Sequence, residues 1–168
     1  MLSLANLRKA LDVAVSIVVL IAGILLIRAF STDTAPAPPL SIPLYAAGDT
    51  FEPAEGLALD PILPTLIMHL QSTCRFCTAS MDFYKRLAAA APRARLVVVG
   101  YEPASVLEAY AKAHGFEPNQ VVSVPPRSLK TRGTPTLMLA GPDAVLIDVW
   151  RGQLNEEQEA LVLDAVVR

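Results

Sequence analysis

The sequence predicts an α/β protein with a mixed central sheet, preceded by one N-terminal transmembrane helix. Strand-like and helix-like patterns alternate from residue 65 to residue 124, as in parallel strands joined by helices. Two later strand-like runs, 136–140 and 145–149, are joined by Gly-Pro-Asp-Ala and indicate an antiparallel hairpin. The length of 168 residues fits one domain with an attached segment.

The attached segment is an apolar run, uncharged from Val13 to Ile27, that continues past Arg28 to Phe30. As a helix it would measure about 27 Å, close to the hydrocarbon thickness of a bilayer. Arg8 and Lys9 precede it, so the positive-inside rule places the N-terminus in the cytoplasm. We expect an uncleaved signal-anchor. A cleaved signal peptide and a buried core helix are the alternatives.

Three regions follow from this interpretation. Residues 1–30 form the cytoplasmic N-terminus and the anchor, and residues 31–43 form a proline-rich linker that favours an extended chain. Residues 44–168 form the folded domain. We expect a single-pass protein of the inner (plasma) membrane whose domain lies on the periplasmic, or extracytoplasmic, side.

The first strand and helix of the domain surround both cysteines of the chain. Thr65–Leu70 is a compact apolar run that predicts a buried strand. Ser72 and Thr73 offer N-cap side chains for a helix over residues 74–91, which Pro92 would stop.

The remaining elements carry equally local signals. Arg95–Gly100 is rich in β-branched residues and predicts a strand, and Val121–Val124 is a weaker candidate. Pro103–His114 has proline in a helical first turn and is followed by glycine. Asn155 is the predicted N-cap of the last helix, with acidic residues in the following turn.

Charge and cysteine content narrow the function classes. With 14 basic and 16 acidic residues, the chain lacks the basic excess of a nucleic-acid-binding protein. An exported domain with only Cys74 and Cys77 has no further cysteines for a disulfide framework. We therefore expect the two cysteines to act together.

The C-x-x-C spacing at a helix start suits disulfide exchange. The helix N-terminus stabilises a Cys74 thiolate, and one turn brings Cys77 within reach to resolve a mixed disulfide. Arg75 adds a positive charge beside Cys74, and Phe76 offers an apolar contact to a partner chain. A zinc site with His69 or His114 and an inert buried pair are the alternatives.

A second motif, Arg132-Gly133-Thr134-Pro135-Thr136, stands just before a predicted strand, where proline is tolerated and a cis bond is favoured. The C-x-x-C after a strand, followed by G-T-P-T before a strand-hairpin-helix ending, resembles the thioredoxin superfamily. The resemblance covers residues 47–168. With the anchor, the chain is similar to the membrane-anchored TlpA/ResA-like thiol-disulfide oxidoreductases.

The resemblance implies a role for each matching residue. Cys74 would be the nucleophile, Cys77 the resolving thiol, Pro135 the cis-proline and Thr134 its substrate-docking neighbour. It implies no cofactor and no metal. Extracytoplasmic protein thiols or disulfides would be the partners. As a reductant, the protein would also need a membrane electron-transfer partner. A copper-chaperone-like module and a non-catalytic docking domain are the alternative functions.

Some residues depart from the family pattern. Thr73 stands where the family usually has tryptophan, and Met68 and Ser80 stand where an acidic proton acceptor often lies. Asp82 or His69 are candidate substitutes. Three basic residues of the loop before Pro135 either line the site with positive charge or form a solvated loop; they are Arg127, Lys130 and Arg132.

Overall fold

The computed structural model describes residues 4–30, 43–90 and 93–167. The chain divides into two compact units, Met1–Ser41 and Ile42–Arg168. The predicted linker, apart from Pro43, lies outside the described residues, as does the predicted stop at Pro92.

The first unit contains helix α1 (Leu4–Phe30). Large apolar side chains on it are exposed, with Val18 at 65% and Leu20 at 65%. Within the described part of the chain, no helix combines the length and the apolar character that crossing a membrane requires.

The second unit is built on five strands, which are β1 (Thr65–His69), β2 (Arg95–Gly100), β3 (Gln120–Ser123), β4 (Thr136–Ala140) and β5 (Leu146–Arg151). They form one sheet in the order β3-β2-β1-β4-β5. The first three strands are parallel, β4 is antiparallel to β1, and β5 is antiparallel to β4. The predicted mixed sheet is confirmed.

Four helices accompany the sheet, and they are α2 (Arg75–Ala79), α3 (Met81–Ala90), α4 (Ala104–Ala113) and α5 (Glu156–Val167). The single helix predicted after the first strand is interrupted at Ser80. Its hydroxyl donates to the Phe76 carbonyl at 2.9 Å, a local bond that competes with regular helix geometry. At the start of α5, Asn155 and Gln158 exchange side-chain-to-backbone bonds of 2.9 and 3.1 Å and confirm the predicted cap.

All four helices lie on the same face of the sheet. Leu66 and Met68 of β1 share one buried cluster with apolar residues of every one of these helices, such as Leu87, Leu107 and Val162. For α2, α3 and α4 the reason is topological, because β2 and β3 follow one another outward from β1. Right-handed crossovers in the same direction place their helices on the same side.

Irregular chain covers the opposite face. Ile67 projects into a second cluster with Tyr45 and Phe51 of the segment before β1. Val124 and Leu129, from the segment between β3 and β4, complete this cluster. The segment before β1 is therefore part of the core, and Thr50 also bridges to Val145 beside the hairpin.

The end of β2 packs too tightly to accept a side chain. A Cβ added at Gly100 would lie 2.7 Å from the Leu70 carbonyl oxygen and 2.9 Å from a methyl of Leu107. We expect Gly100→Ala to lower the free energy of unfolding by about 1–3 kcal/mol, the usual cost of overpacking. Urea denaturation measures it.

The matched control is Gly133→Ala, because a Cβ at Gly133 meets nothing within 4 Å. Its unfolding midpoint should stay within experimental error of the wild type. Equal stabilities of the two variants would contradict the packing described at Gly100.

Candidate active site

The first cysteine is itself the N-cap of helix α2. Cys74 has an extended backbone, and its Sγ accepts a hydrogen bond from the Cys77 N–H at 3.2 Å. The predicted capping by Ser72 or Thr73 is wrong, because the Cys74 sulfur already accepts from the third residue of the helix. The helix N-terminus therefore acts directly on the Cys74 sulfur.

A carboxylate anchors the chain just before Cys74. Both the N–H and the hydroxyl of Ser72 donate to Glu102, each at 2.6 Å to a different carboxylate oxygen. The sequence reasoning missed Glu102, although one signal was available. Glu102 follows β2, and the carboxyl ends of parallel neighbours such as β1 and β2 meet at the same edge of a sheet.

The motif containing Pro135 meets the cysteines at this edge. The Cys74 thiol donates to the Thr134 carbonyl at 3.4 Å, and the Thr134–Pro135 peptide bond is cis. The pairing of His69 in β1 with Thr136 in β4 brings the two segments together across about sixty residues of chain. The structure thus joins Cys74, Cys77, Thr134 and Pro135 in one site.

The two thiols have opposite electrostatic environments. Burial raises the pKa of Cys74, but hydrogen bonds from Cys77, Thr134 and the backbone outweigh it and leave the pKa below its ordinary value. Burial and the neighbouring Cys74 raise the pKa of Cys77 to about 12. The arrangement therefore favours the thiolate at the partly exposed Cys74 sulfur over the buried Cys77, which stays protonated at neutral pH.

Arg75 and Phe76 lie on the exposed side of this site. The Arg75 guanidinium carbon lies 4.5 Å from the centre of the Phe76 ring, and 42% of Phe76 is exposed. Hydrogen bonds, rather than the charge of Arg75, are the main causes of the lowered Cys74 pKa. The pair forms a surface that a partner chain can contact.

The candidate proton acceptors lie away from Cys77. The Asp82 side chain is 91% exposed and pairs with Lys85 at 2.6 Å. His69 projects toward the irregular face, whereas Cys77 packs among residues of the helix face. Tyr84, which the sequence reasoning missed, is buried in the Cys77 cluster, and burial followed by the Cys77 charge raises its pKa. Its hydroxyl therefore stays protonated.

The basic residues of the loop before Pro135 have mainly structural roles. The Lys130 ammonium lies 5.5 Å from the centre of the Tyr45 ring, and its carbonyl accepts the Tyr45 N–H at 2.9 Å. Arg127 adopts a left-handed backbone with φ 69°. Of the three basic residues, only Arg132 is both exposed and within two residues of Thr134.

Among the residues that the structure describes, no three or more His, Cys, Asp or Glu side chains group closely enough to hold a metal ion. The Nδ1 of His69 is instead within 2.8 Å of the Thr131 hydroxyl.

Solved structures share this architecture, although no protein-family model and no curated protein matches the chain. A thiol-disulfide isomerase from Corynebacterium glutamicum has a TM-score of 0.52 at 16% identity, covering 75% of this chain and 96% of its own. A thioredoxin-like superfamily protein has a TM-score of 0.54 at 16% identity, covering 73% of this chain and 97% of its own. A DsbF homologue from Corynebacterium diphtheriae has a TM-score of 0.51 at 12% identity, covering 61% of this chain and 71% of its own.

The fold is thioredoxin-like. At these identities the likeness establishes the fold, and the chemistry has to be argued from the site. The likeness extends over most of the folded unit and over nearly the full length of two of the three structures.

The Thr134 side chain is one of the causes of the lowered Cys74 pKa, and it gives a direct test of the site. We expect Thr134→Val to raise the Cys74 pKa, because the variant removes a side-chain hydrogen bond that favours the thiolate. The pH midpoint of iodoacetamide alkylation of the reduced protein should move to higher pH. Cys77 is buried and does not interfere.

Thr73→Val is the matched control, since Thr73 is an exposed threonine next to Cys74. Its alkylation midpoint should coincide with that of the wild type. An unchanged midpoint in Thr134→Val would show that the hydroxyl does not stabilise the thiolate.

Proposed function

We propose that the domain is a thiol-disulfide oxidoreductase that exchanges disulfides with extracytoplasmic protein partners through Cys74 and Cys77. The observation that carries the proposal is the placement of the Cys74 sulfur. It accepts the Cys77 N–H at 3.2 Å and lies 3.4 Å from the Thr134 carbonyl, before a cis proline. The C. glutamicum thiol-disulfide isomerase of similar fold agrees with this chemistry.

The first step uses the lowered pKa of Cys74. Its thiolate attacks one sulfur of a partner disulfide, a mixed disulfide forms, and the other partner sulfur leaves as a thiolate. The Cys74 charge disappears in this step. Because that charge and its hydrogen bond help to raise the pKa of Cys77, the mixed disulfide lowers the barrier to deprotonating Cys77.

The second step resolves the mixed disulfide. The Cys77 thiol gives up its proton, which balances the charge of a departing partner thiolate, and its sulfur attacks Cys74. A Cys74–Cys77 disulfide forms and the partner leaves with two thiols, so two electrons have passed from the domain to the partner. The reverse sequence oxidises a dithiol.

We propose the reducing direction for the cell, with a membrane electron-transfer partner returning the Cys74–Cys77 disulfide to the dithiol. An oxidising compartment supplies no such electrons by itself, so a partner that carries them outward is required. The reduction potential of the pair, measured by equilibration with glutathione, tests the direction.

Two cysteine variants test the exchange. We expect Cys74→Ser to reduce a model disulfide no faster than the uncatalysed reaction, because the attacking sulfur is lost. Cys77→Ala should accumulate a mixed disulfide with its partner, because nothing resolves it. Non-reducing electrophoresis and turnover assays measure both results.

Ser128→Ala provides the control, since among the described residues the Ser128 hydroxyl bonds only to the nearby Pro125 carbonyl. The activity of this variant should equal that of the wild type. Full activity in Cys74→Ser would refute the proposal. Copper or zinc retained stoichiometrically by the purified wild type, without turnover, would favour the metal-binding alternative.

We also propose that the N-terminal segment tethers the domain to the outer face of the plasma membrane. The uncharged run from Val13 to Ile27 and the preceding Arg8 and Lys9 support it. The exposed apolar side chains of α1 also support it, because moving an apolar surface out of water lowers the free energy.

Fractionation tests the tether. Wild-type protein should stay in the membrane pellet after an alkaline wash, and Val19→Arg should shift it toward the soluble fraction. An arginine at the centre of a spanning helix costs roughly 2.5–3.5 kcal/mol. Ile62→Arg, at a residue of the domain that is 78% exposed, is the control and should fractionate as the wild type. Soluble wild-type protein shortened at its N-terminus would instead identify a cleaved signal peptide.

A further inference from the structure

A small cavity opens beside the active site and has no part in the exchange steps. Its volume is about 130 Å³, and its lining consists of His69, Leu70, Gln71, Tyr101, Gly133 and Thr134. Thr134 connects it to the reacting sulfur, because the carbonyl of the same residue lies 3.4 Å from the Cys74 Sγ. A chain bound at Cys74 therefore passes the cavity.

The cavity contains a buried imidazole with an open hydrogen-bonding position. His69 is 2% exposed, its Nδ1 is 2.8 Å from the Thr131 hydroxyl, and its ring contacts Tyr101 edge-on with centres 4.8 Å apart. Among the described residues, none forms a hydrogen bond with the other ring nitrogen, Nε2. Burial lowers the His69 pKa to about 4, so the ring is neutral at neutral pH.

A neutral imidazole has one donating and one accepting nitrogen. With Nδ1 engaged by a hydroxyl, Nε2 is left to bond whatever enters the cavity. An occupant that displaces water from Nε2 without replacing its hydrogen bond is disfavoured, so the cavity favours an occupant that can form this bond. The other polar residues of the lining also favour an occupant that forms hydrogen bonds; they are Gln71, Tyr101 and Thr134.

The volume limits the size of the occupant. Since one water takes about 30 Å³ of liquid, the cavity holds roughly four waters, or a side chain with about that many heavy atoms. Serine, threonine and asparagine side chains meet both the size limit and the need for a hydrogen bond. Tryptophan and other bulky side chains do not.

We propose that this cavity is a substrate subsite, which takes a small hydrogen-bonding side chain one or two residues from the reacting cysteine of the partner. The inference rests on the proposed function. Residues of an extended chain advance about 3.4 Å each and point alternately to opposite sides, so a neighbour of the reacting cysteine reaches the cavity. The subsite makes exchange selective for the sequence around a partner cysteine.

The test uses the full chain in its reduced form and peptides with one cysteine, each joined by a disulfide to a chromogenic thiol. The two residues on each side of that cysteine are varied, one position at a time, through asparagine, serine, alanine, leucine and tryptophan. At one of these positions we expect kcat/KM to be roughly tenfold higher for asparagine than for leucine, the value of one satisfied buried hydrogen bond. The tryptophan peptide should have a lower kcat/KM than the leucine peptide.

Two variants of the lining separate the size limit from the hydrogen bond. Tyr101→Ala enlarges the cavity and should raise the rate of the tryptophan peptide relative to alanine within the same protein preparation. His69→Leu should remove the advantage of asparagine over leucine. Ratios within one variant do not depend on the folded fraction, and a gain for tryptophan cannot result from misfolding.

Val106→Ala is the control. Val106 of α4 is 41% exposed and does not line the cavity. This variant should leave kcat/KM for every peptide, and therefore their order, as in the wild type.

Equal rates for all peptides in the wild type, or an unchanged ratio of the tryptophan rate to the alanine rate in Tyr101→Ala, would overturn the subsite while leaving the exchange chemistry in place. Such results would mean that the cavity holds water only. If no peptide reacts faster than the uncatalysed reaction, the proposed function fails and the subsite fails with it.

Discussion

The antiparallel pairing of β1 with β4 is the constraint on which the site depends. His69, the last residue of β1, pairs with Thr136, the first residue of β4. The segment that leaves one strand therefore starts beside the segment that enters the other. The Cys74 contact with Thr134, the cis bond before Pro135 and the lining of the small cavity all occur where these segments meet.

One-sided helix packing gives the irregular segments a structural role. Because α2 to α5 occupy the same face, the opposite face of the sheet is closed by the chain before β1 and by the chain between β3 and β4. These two segments also bind each other, since the Tyr45 N–H donates to the Lys130 carbonyl. The first segment is held to β5 as well, because the Arg151 guanidinium donates to the Tyr45 carbonyl. The loop that carries Thr134 is thus supported by core packing.

The chemical difference between the cysteines comes from their positions on one short helix. Cys74, at the N-cap, receives hydrogen bonds and stays partly exposed, whereas Cys77, one turn later, is buried against the sheet. Identical side chains three residues apart acquire opposite pKa shifts for this reason. Charge is stabilised at the sulfur that a partner can reach and opposed at the one that it cannot.

Local signals determined what the sequence could predict. The β-branched run at residues 95–100, the Asn155 cap and the C-x-x-C spacing all act through neighbours within a few residues, so they were readable without the fold. Tertiary structure alone decided the anchoring of Ser72 by Glu102, the pairing of His69 with Thr131 and the cavity beside Thr134. These depend on strand register and crossover handedness, which join residues that are 30 to 62 positions apart. Sequence spacing alone does not identify which residues make such contacts.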